Sequence, residues 1–281
     1  MQLLGAHVSV AGGLPTAFTR SAALGCAALQ IFVKNASRWQ GRELTAAEAD
    51  AFATAWRDCA EPPVVAHGAY LLNLAAPPGE VRERSRRGLA DEIERSRRLG
   101  LAGLVVHPGA HLGAGEERGL LRVAASLDGV LGELEPGPRV LLEVTAGQGS
   151  ALGWRLEHLE RIVALSAHRE RLGICLDTCH LFAAGYPVHR PEGLDDLLAE
   201  VDRRFGAERL GCIHLNDSQR PFASRRDRHA NIGAGEIGRD AFAYLVRHPR
   251  LMGVPLILET PDDDGQGHAR DLALLRELAA A

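Results

Sequence analysis

Six short apolar runs in this chain each end in a residue type that ligates metal. Pro63–His67 reads P-V-V-A-H and Gly103–His107 reads G-L-V-V-H. Val140–Glu143 reads V-L-L-E, Gly173–Asp177 reads G-I-C-L-D, Gly211–His214 reads G-C-I-H and Pro255–Glu259 reads P-L-I-L-E. Runs that are apolar throughout, without alternation, have the pattern of strands buried on both faces of a parallel sheet. One such ending is weak evidence. An acidic residue there caps the helix that follows a strand, and a lone histidine at a strand end is more often hydrogen-bonded than a ligand. The recurrence carries the argument.

The rest of the chain supplies the connecting elements. Leu3–Val8 and Ala28–Val33 add two strand candidates, the first followed by the glycine turn Ala11-Gly12-Gly13. Helical periodicity covers Leu14–Leu24, Thr45–Cys59, Glu80–Leu99, Glu116–Leu134, Leu156–Ser166, Leu194–Phe205, Asp240–Val246 and Ala269–Leu278. Thr45 with Glu48 three residues on predicts a capping box, and Gly100 a helix stop. Eight strands alternating with helices over about 250 residues predict an α/β protein, a closed (β/α)8 TIM barrel with its site at the C-terminal mouth. An open doubly wound sheet is the alternative; the barrel is preferred because it gathers all six endings around one mouth. No low-complexity or linker-like stretch divides residues 1–281, so one domain is expected. Asn216–Gly238 reads as a long loop without apolar periodicity, a length that is usually functional.

Composition narrows the setting. With 46% hydrophobic residues the chain can bury a large core, yet no apolar run approaches the ~20 residues that span a bilayer. The N-terminus lacks the basic region and cleavage site of a secretory signal. The cysteines, at 26, 59, 175, 179 and 212, are few and odd in number, which fits reduced thiols in a cytoplasmic protein. The net charge of −4 excludes a uniformly basic nucleic-acid binder but not a basic face. Lys34 is the only lysine, so positive charge is almost all arginine, which suits bidentate contact with phosphate.

Three further ligand candidates enter the mouth from loops: His180, and Asp227 with His229, whose i, i+2 spacing puts both on one side of an extended segment. Nine such groups crowded together need compensating cations, because unpaired buried charge is costly. Five imidazoles and four carboxylates exceed one metal and suit two or three ions of zinc, manganese or iron; magnesium would prefer oxygen alone. Cys175, Cys179 and Cys212 are rival ligands. Clustered divalent ions lower the pKa of water and stabilise a phosphoryl transition state, so phosphodiester hydrolysis is the leading chemistry. Sugar isomerisation is the rival, disfavoured by the histidine-rich set and the lone lysine. A damaged-DNA binding protein with structural metals is the non-enzyme alternative; structural zinc sites are closed by four protein ligands each, and nine ligands shared among three ions leave open positions.

With these residues in view the chain resembles the endonuclease IV family of zinc-dependent apurinic/apyrimidinic (AP) endonucleases, essentially end to end. The resemblance is carried by Gly5-Ala6-His7-Val8-Ser9 with Gly12-Gly13, His67 to Leu74, His107-Pro108-Gly109, Glu143 with Thr145 to Gly149, Asp177-Thr178-Cys179-His180, His214-Leu215-Asn216-Asp217, Asp227-Arg228-His229 and Leu258-Glu259-Thr260. It implies three zinc ions: one held by His67, His107 and Glu143; one by Glu143, Asp177, His214 and Glu259; one by His180, Asp227 and His229. It also implies cleavage of duplex DNA 5′ to an abasic site, leaving a 3′-hydroxyl and a 5′-deoxyribose phosphate, and trimming of blocked 3′ ends. A metal-bound hydroxide would be the nucleophile, with Glu143 bridging and Glu259 orienting or deprotonating it. DNA contacts are implied for Asn35, Arg38 and Trp39, for the apolar wedge Tyr70 and Leu71, and for the basic segment Arg220, Arg225, Arg226 and Arg228. Arg82, Arg84, Arg86 and Arg87 read as a solvated helix face. The architecture needs no partner subunit, so a monomer is expected. Two positions depart from the family pattern. Ser37 stands where an arginine is often found. Val144 replaces the usual asparagine after Glu143, so a polar contact behind the metals is expected to be missing.

Overall fold

A computed structural model describes residues 2–281. Eight parallel strands close into a barrel in chain order: β1 (Leu3–His7), β2 (Ala28–Phe32), β3 (Val64–His67), β4 (Gly103–Val106), β5 (Arg139–Glu143), β6 (Leu172–Asp177), β7 (Leu210–Leu215) and β10 (Pro255–Leu258), which returns to β1. The chain is a TIM barrel. Helices α1 (Thr16–Ala23), α2 (Ala46–Asp58), α3 (Glu80–Arg98), α4 (Glu116–Leu131), α5 (Leu156–Leu165), α7 (Pro191–Phe205), α8 (Arg239–Arg247) and α9 (Gly267–Ala280) follow the strands. Among the described residues no helix is long and apolar enough to cross a membrane.

The strands carry apolar side chains both outward and inward. The outward set joins the helices in one continuous core that includes Leu29, Ile31, Leu104, Leu142, Ile174 and Leu258. Val65, Val105, Leu141, Cys175 and Cys212 fill the barrel interior, the packed layer expected of this architecture. Gly5 shows how tight the closure is: a Cβ there would lie 1.8 Å from the Ala28 carbonyl oxygen of β2.

Two regions differ from the sequence expectation. The sequence reading puts His180 in a loop; it lies on a short helix, α6 (Thr178–Ala184), buried on all sides and stopped by Gly185 in the left-handed conformation. A helix without a polar face leaves no amphipathic period to read. The stretch 216–238 is not a loose loop. It contains a two-stranded antiparallel ribbon, β8 (Asp217–Ser218) with β9 (His229–Ala230). Buried Asp217 accepts backbone N–H bonds from Ser218, Gly233, Gly235 and Ile237 at 2.8–3.0 Å, so one carboxylate organises the whole segment.

Candidate metal centre

Strand register brings the predicted endings together. Asp177 is the parallel partner of His214, and Glu143 that of Cys175 one strand away. Glu143, fully buried, is the hub. His107 Nε2 lies 3.0 Å and His67 Nε2 3.3 Å from its Oε2, while His214 Nδ1 at 3.0 Å and His180 Nδ1 at 3.2 Å face its Oε1. Oε2 has no properly directed hydrogen bond among the described residues. A buried carboxylate oxygen ringed by imidazoles yet unbonded suits a cation more than a proton.

The candidate ligand atoms fall into groups within 4.8 Å of one another: His67, His107 and Glu143; Glu143, Asp177, His214 and Glu259; His180, Asp227 and His229. Many of the closest approaches are 3.0–3.3 Å. That is close to the edge of a tetrahedron with bonds of about 2.0–2.1 Å, so the residues fit small divalent ions. Two further groups include cysteines: Cys175 and Cys212 with His214, and Asp177 and Cys179 with His229. Cys175 and Cys212 lie in the interior layer below the mouth, their sulfurs 3.4 Å apart. Burial, then the Asp177 charge, pushes the Cys179 thiol up to about 12, which disfavours the thiolate a metal would need.

Outer contacts set which imidazole nitrogen faces the centre. The Nδ1 of His67 lies 2.8 Å from the Gly68 carbonyl, that of His180 2.9 Å from the Val144 carbonyl, and that of His229 3.1 Å from the Glu259 carbonyl. Carbonyls only accept, so each Nδ1 carries a hydrogen and each Nε2 is the nitrogen left for the centre. His214 is reversed: Nε2 donates to Gln30 Oε1 at 2.9 Å, leaving Nδ1 toward Glu143 and Glu259. At Val144 the backbone carbonyl makes one of these contacts, while the side chain packs in the core and offers no polar group.

Asp177 caps α6, accepting from the His180 N–H at 2.8 Å. The capping and the site-facing readings of this residue thus hold together. Its other oxygen accepts from Asn216 Nδ2 at 2.7 Å, and Asn216 Oδ1 takes the Glu259 N–H at 3.0 Å. Glu259 Oε1 accepts from Gln30 Nε2 at 2.5 Å and lies 3.3 Å from His7 Nδ1. His7, Gln30 and Asn216 are not among the site residues expected from the sequence. His7 ends an apolar run, L-L-G-A-H, by the same rule as the other six, and Gln30 is a fully buried amide inside a strand.

The electrostatics are mutual. Burial would raise Glu143, but His214 and His107 outweigh it and hold the carboxyl well below its usual range. Burial would likewise raise Glu259 and Asp227; His214 with His7, and His180 with His229, bring them down instead. Burial would lower His180 and His214; the carboxylates around them win and raise both well above the ordinary imidazole value. His229, pulled down by burial but raised more by Asp177 and Asp227, reaches about 9. His7 is lowered instead, burial outweighing Glu259. Without cations the carboxylates hold protons on these imidazoles, and divalent ions would displace them.

The loops around this centre carry the expected contact residues. Tyr70 is 68% exposed, with one side of its ring against Phe32 and His67. Leu71 lines the mouth cavity with His107, His180 and Asp227. Asn35 accepts the Ser37 N–H at 2.9 Å, shaping a loop on which Asn35, Ser37 and Arg38 are exposed. Among the described residues none of Arg220, Arg225, Arg226 and Arg228 has a carboxylate in ion-pair range; Arg225 stacks 4.0 Å over the Trp154 ring. Beside His107, Gly109 takes a positive φ, and a Cβ there would lie 2.3 Å from Asn73 Oδ1, the atom that accepts the Ala110 N–H.

Residues 18–278 match the model of xylose isomerase-like TIM barrels, the class that this fold and mouth define. Among curated relatives, a probable endonuclease 4 of Chloroflexus aurantiacus is 49% identical over 99% of this chain and 98% of its own. One from Geobacter sulfurreducens is 44% identical over 98% of this chain and 94% of its own. The crystal structure of endonuclease IV from Thermus thermophilus superposes with a TM-score of 0.86 at 37% identity, covering 99% of this chain and 98% of that one. The chain belongs to the endonuclease IV family. A D-tagatose 3-epimerase-like protein at 22% identity and TM-score 0.75 shares the barrel alone.

Proposed function

We propose that this protein is a DNA-repair hydrolase that cuts the phosphodiester 5′ to abasic sites in duplex DNA, leaving a 3′-hydroxyl and a 5′-deoxyribose phosphate, and that also clears blocked 3′ ends. The observation that carries the reading is Glu143, buried and shared between two ligand groups at a mouth rimmed by unpaired arginines and exposed Tyr70. His67, His107 and Glu143 would hold one zinc, Glu143, Asp177, His214 and Glu259 a second, and His180, Asp227 and His229 a third. Bound there, the ions would activate water and offset charge on the phosphate and the leaving oxygen.

The chain's own residues do the rest. Glu259, which Gln30 and His7 hold, would take a proton from attacking water. Tyr70 and Leu71 would fill the space left by an abasic nucleotide turned out of the stack, since a phosphate in straight DNA cannot reach a centre inside the barrel. Arg38, Arg225 and Arg228, with Asn35, would hold backbone phosphates. We further propose that the chain works as a monomeric, cytoplasmic single-domain enzyme. The deciding experiment pairs elemental analysis of purified protein with incision of a duplex bearing one abasic site. About three zincs per chain and a single cut on the 5′ side are expected. Metal-loaded protein that leaves this duplex intact but epimerises a sugar would overturn the reading.

A further inference from the structure

We infer that the buried pair Lys34–Glu92 is a clamp that fixes the two DNA-facing loops of the mouth relative to one another, making both residues positioning residues for duplex binding. The inference rests on reading the mouth as a DNA site. Lys34 is the only lysine in the chain, and its side chain is 3% exposed. Its Nζ donates to the Trp39 carbonyl at 3.0 Å, within the loop that follows β2. The same ammonium lies 3.3 Å from Asp91 Oδ2 and 3.3 Å from Glu92 Oε1, both on α3. Glu92, 1% exposed, accepts the Ala69 N–H on its two oxygens at 3.1 and 3.3 Å. Ala69 immediately precedes Tyr70.

One unbroken path therefore runs from the Trp39 carbonyl through Lys34 and Glu92 to the Ala69 amide. It joins the loop carrying Asn35 and Arg38 to the loop carrying Tyr70 and Leu71. A second tie reinforces it from the same helix: Arg95 Nη2 donates to the Arg42 carbonyl at 2.6 Å, and Arg95 Nε to Asp91 at 2.8 Å. Gly88 makes room for the assembly, since a Cβ there would lie 3.0 Å from Leu72 Cδ2 and 4.0 Å from the Trp39 ring. A buried ion pair gains little over a well-packed apolar pair in net stability. What it supplies here is direction, because an ammonium sealed from water must be met by acceptors at fixed places. Two loops held in advance bind a rigid duplex without the cost of ordering them. Among the described residues neither Lys34 nor Glu92 makes a hydrogen bond or ion pair to a metal-ligand atom, so the clamp is expected to act on duplex binding rather than on bond cleavage.

The test is Lys34→Met on the metal-loaded full chain, with two substrates: the abasic duplex and bis(4-nitrophenyl) phosphate, a small diester too short to bridge the two loops. Expected is a rise in duplex KM of about tenfold, with duplex kcat within about threefold and diester turnover and zinc content unchanged. Equal losses on both substrates would mean a purely structural role and overturn the clamp, as would an unchanged duplex KM. Wild-type protein that turns over the diester but neither binds nor cuts the duplex overturns the DNA reading, and this inference with it. Should the variant not fold, amine acylation of Lys34 in the wild type, followed by mass spectrometry, decides the matter. Slow labelling that saturating duplex slows at least about fivefold further is expected, and equal rates with and without duplex overturn the proposal.

Discussion

Gln30 makes three contacts that only a neutral amide can make at once. Its oxygen accepts from His214, and its nitrogen donates to Glu259 and lies 3.0 Å from His7 Nδ1. It thus fixes a ligand's tautomer and a carboxylate's direction together, without adding charge. Contacts behind a metal's ligands are worth about 10–100-fold in affinity or activity. Gln30→Ala is expected to lose incision by about that factor while its fold persists; kinetics beside elemental analysis will separate weakened metal binding from a misplaced Glu259. Glu259→Gln goes further. The amide keeps the shape and the contact to His7 but cannot take a proton, so incision should fall by about 10²–10⁴-fold with duplex binding retained. Near-wild-type activity in that variant would remove Glu259 from the mechanism.

Elements explain why some of this was legible in the sequence. The capping box read from Thr45 and Glu48 is present at the start of α2, and Arg42 pairs with the same carboxylate. Arg42, then the Thr45 N–H, holds Glu48 down to about 2. A carboxyl lowered on folding stabilises above its unfolded value, near 4.5, and that contribution is lost as pH falls through about 2. Glu48→Gln should therefore lower the melting temperature by a constant few degrees from pH 7 to pH 5 and by progressively less below, as differential scanning calorimetry will show. The six strand endings were legible because burial forces an apolar run and the mouth ends it. His7 obeys the same rule and was open to the same reading, whereas Gln30 sits mid-strand where no periodicity marks it. The helix at Thr178–Ala184 is buried and shows no amphipathic period, and the ribbon at 217 and 229 depends on buried Asp217, whose partners Gly233, Gly235 and Ile237 lie 16–20 residues on.

Closing the barrel places donors from residues 67 to 259 within one mouth, so the centre exists only while the whole sheet does. Bound ions add stability in proportion to the logarithm of their excess over Kd, about 2.7 kcal/mol at a hundredfold excess for each site. Stripping them with a chelator is expected to leave far-UV circular dichroism intact and to lower the melting temperature by about 10 °C or more; an unchanged melt would show that imidazolium–carboxylate pairs alone suffice. The molecule as a whole is acidic, at −4, yet it must approach a polyanion. Charge is offset locally on the outer helices, where Arg84, Arg97, Arg161 and Arg204 are paired with glutamates, whereas among the described residues the arginines of the 220–228 segment have no carboxylate in ion-pair range. Counterion release should then dominate affinity. The logarithm of the binding constant for an abasic duplex is expected to fall linearly with the logarithm of salt, with a slope of about −3 or steeper. Arg228→Ala, which removes one such charge at the rim, should flatten that slope by about one while leaving bis(4-nitrophenyl) phosphate turnover unchanged. Fluorescence anisotropy across a salt series measures both. A slope near zero in the wild type would mean that the rim arginines do not meet phosphate, and that Tyr70 and the metals hold the duplex alone.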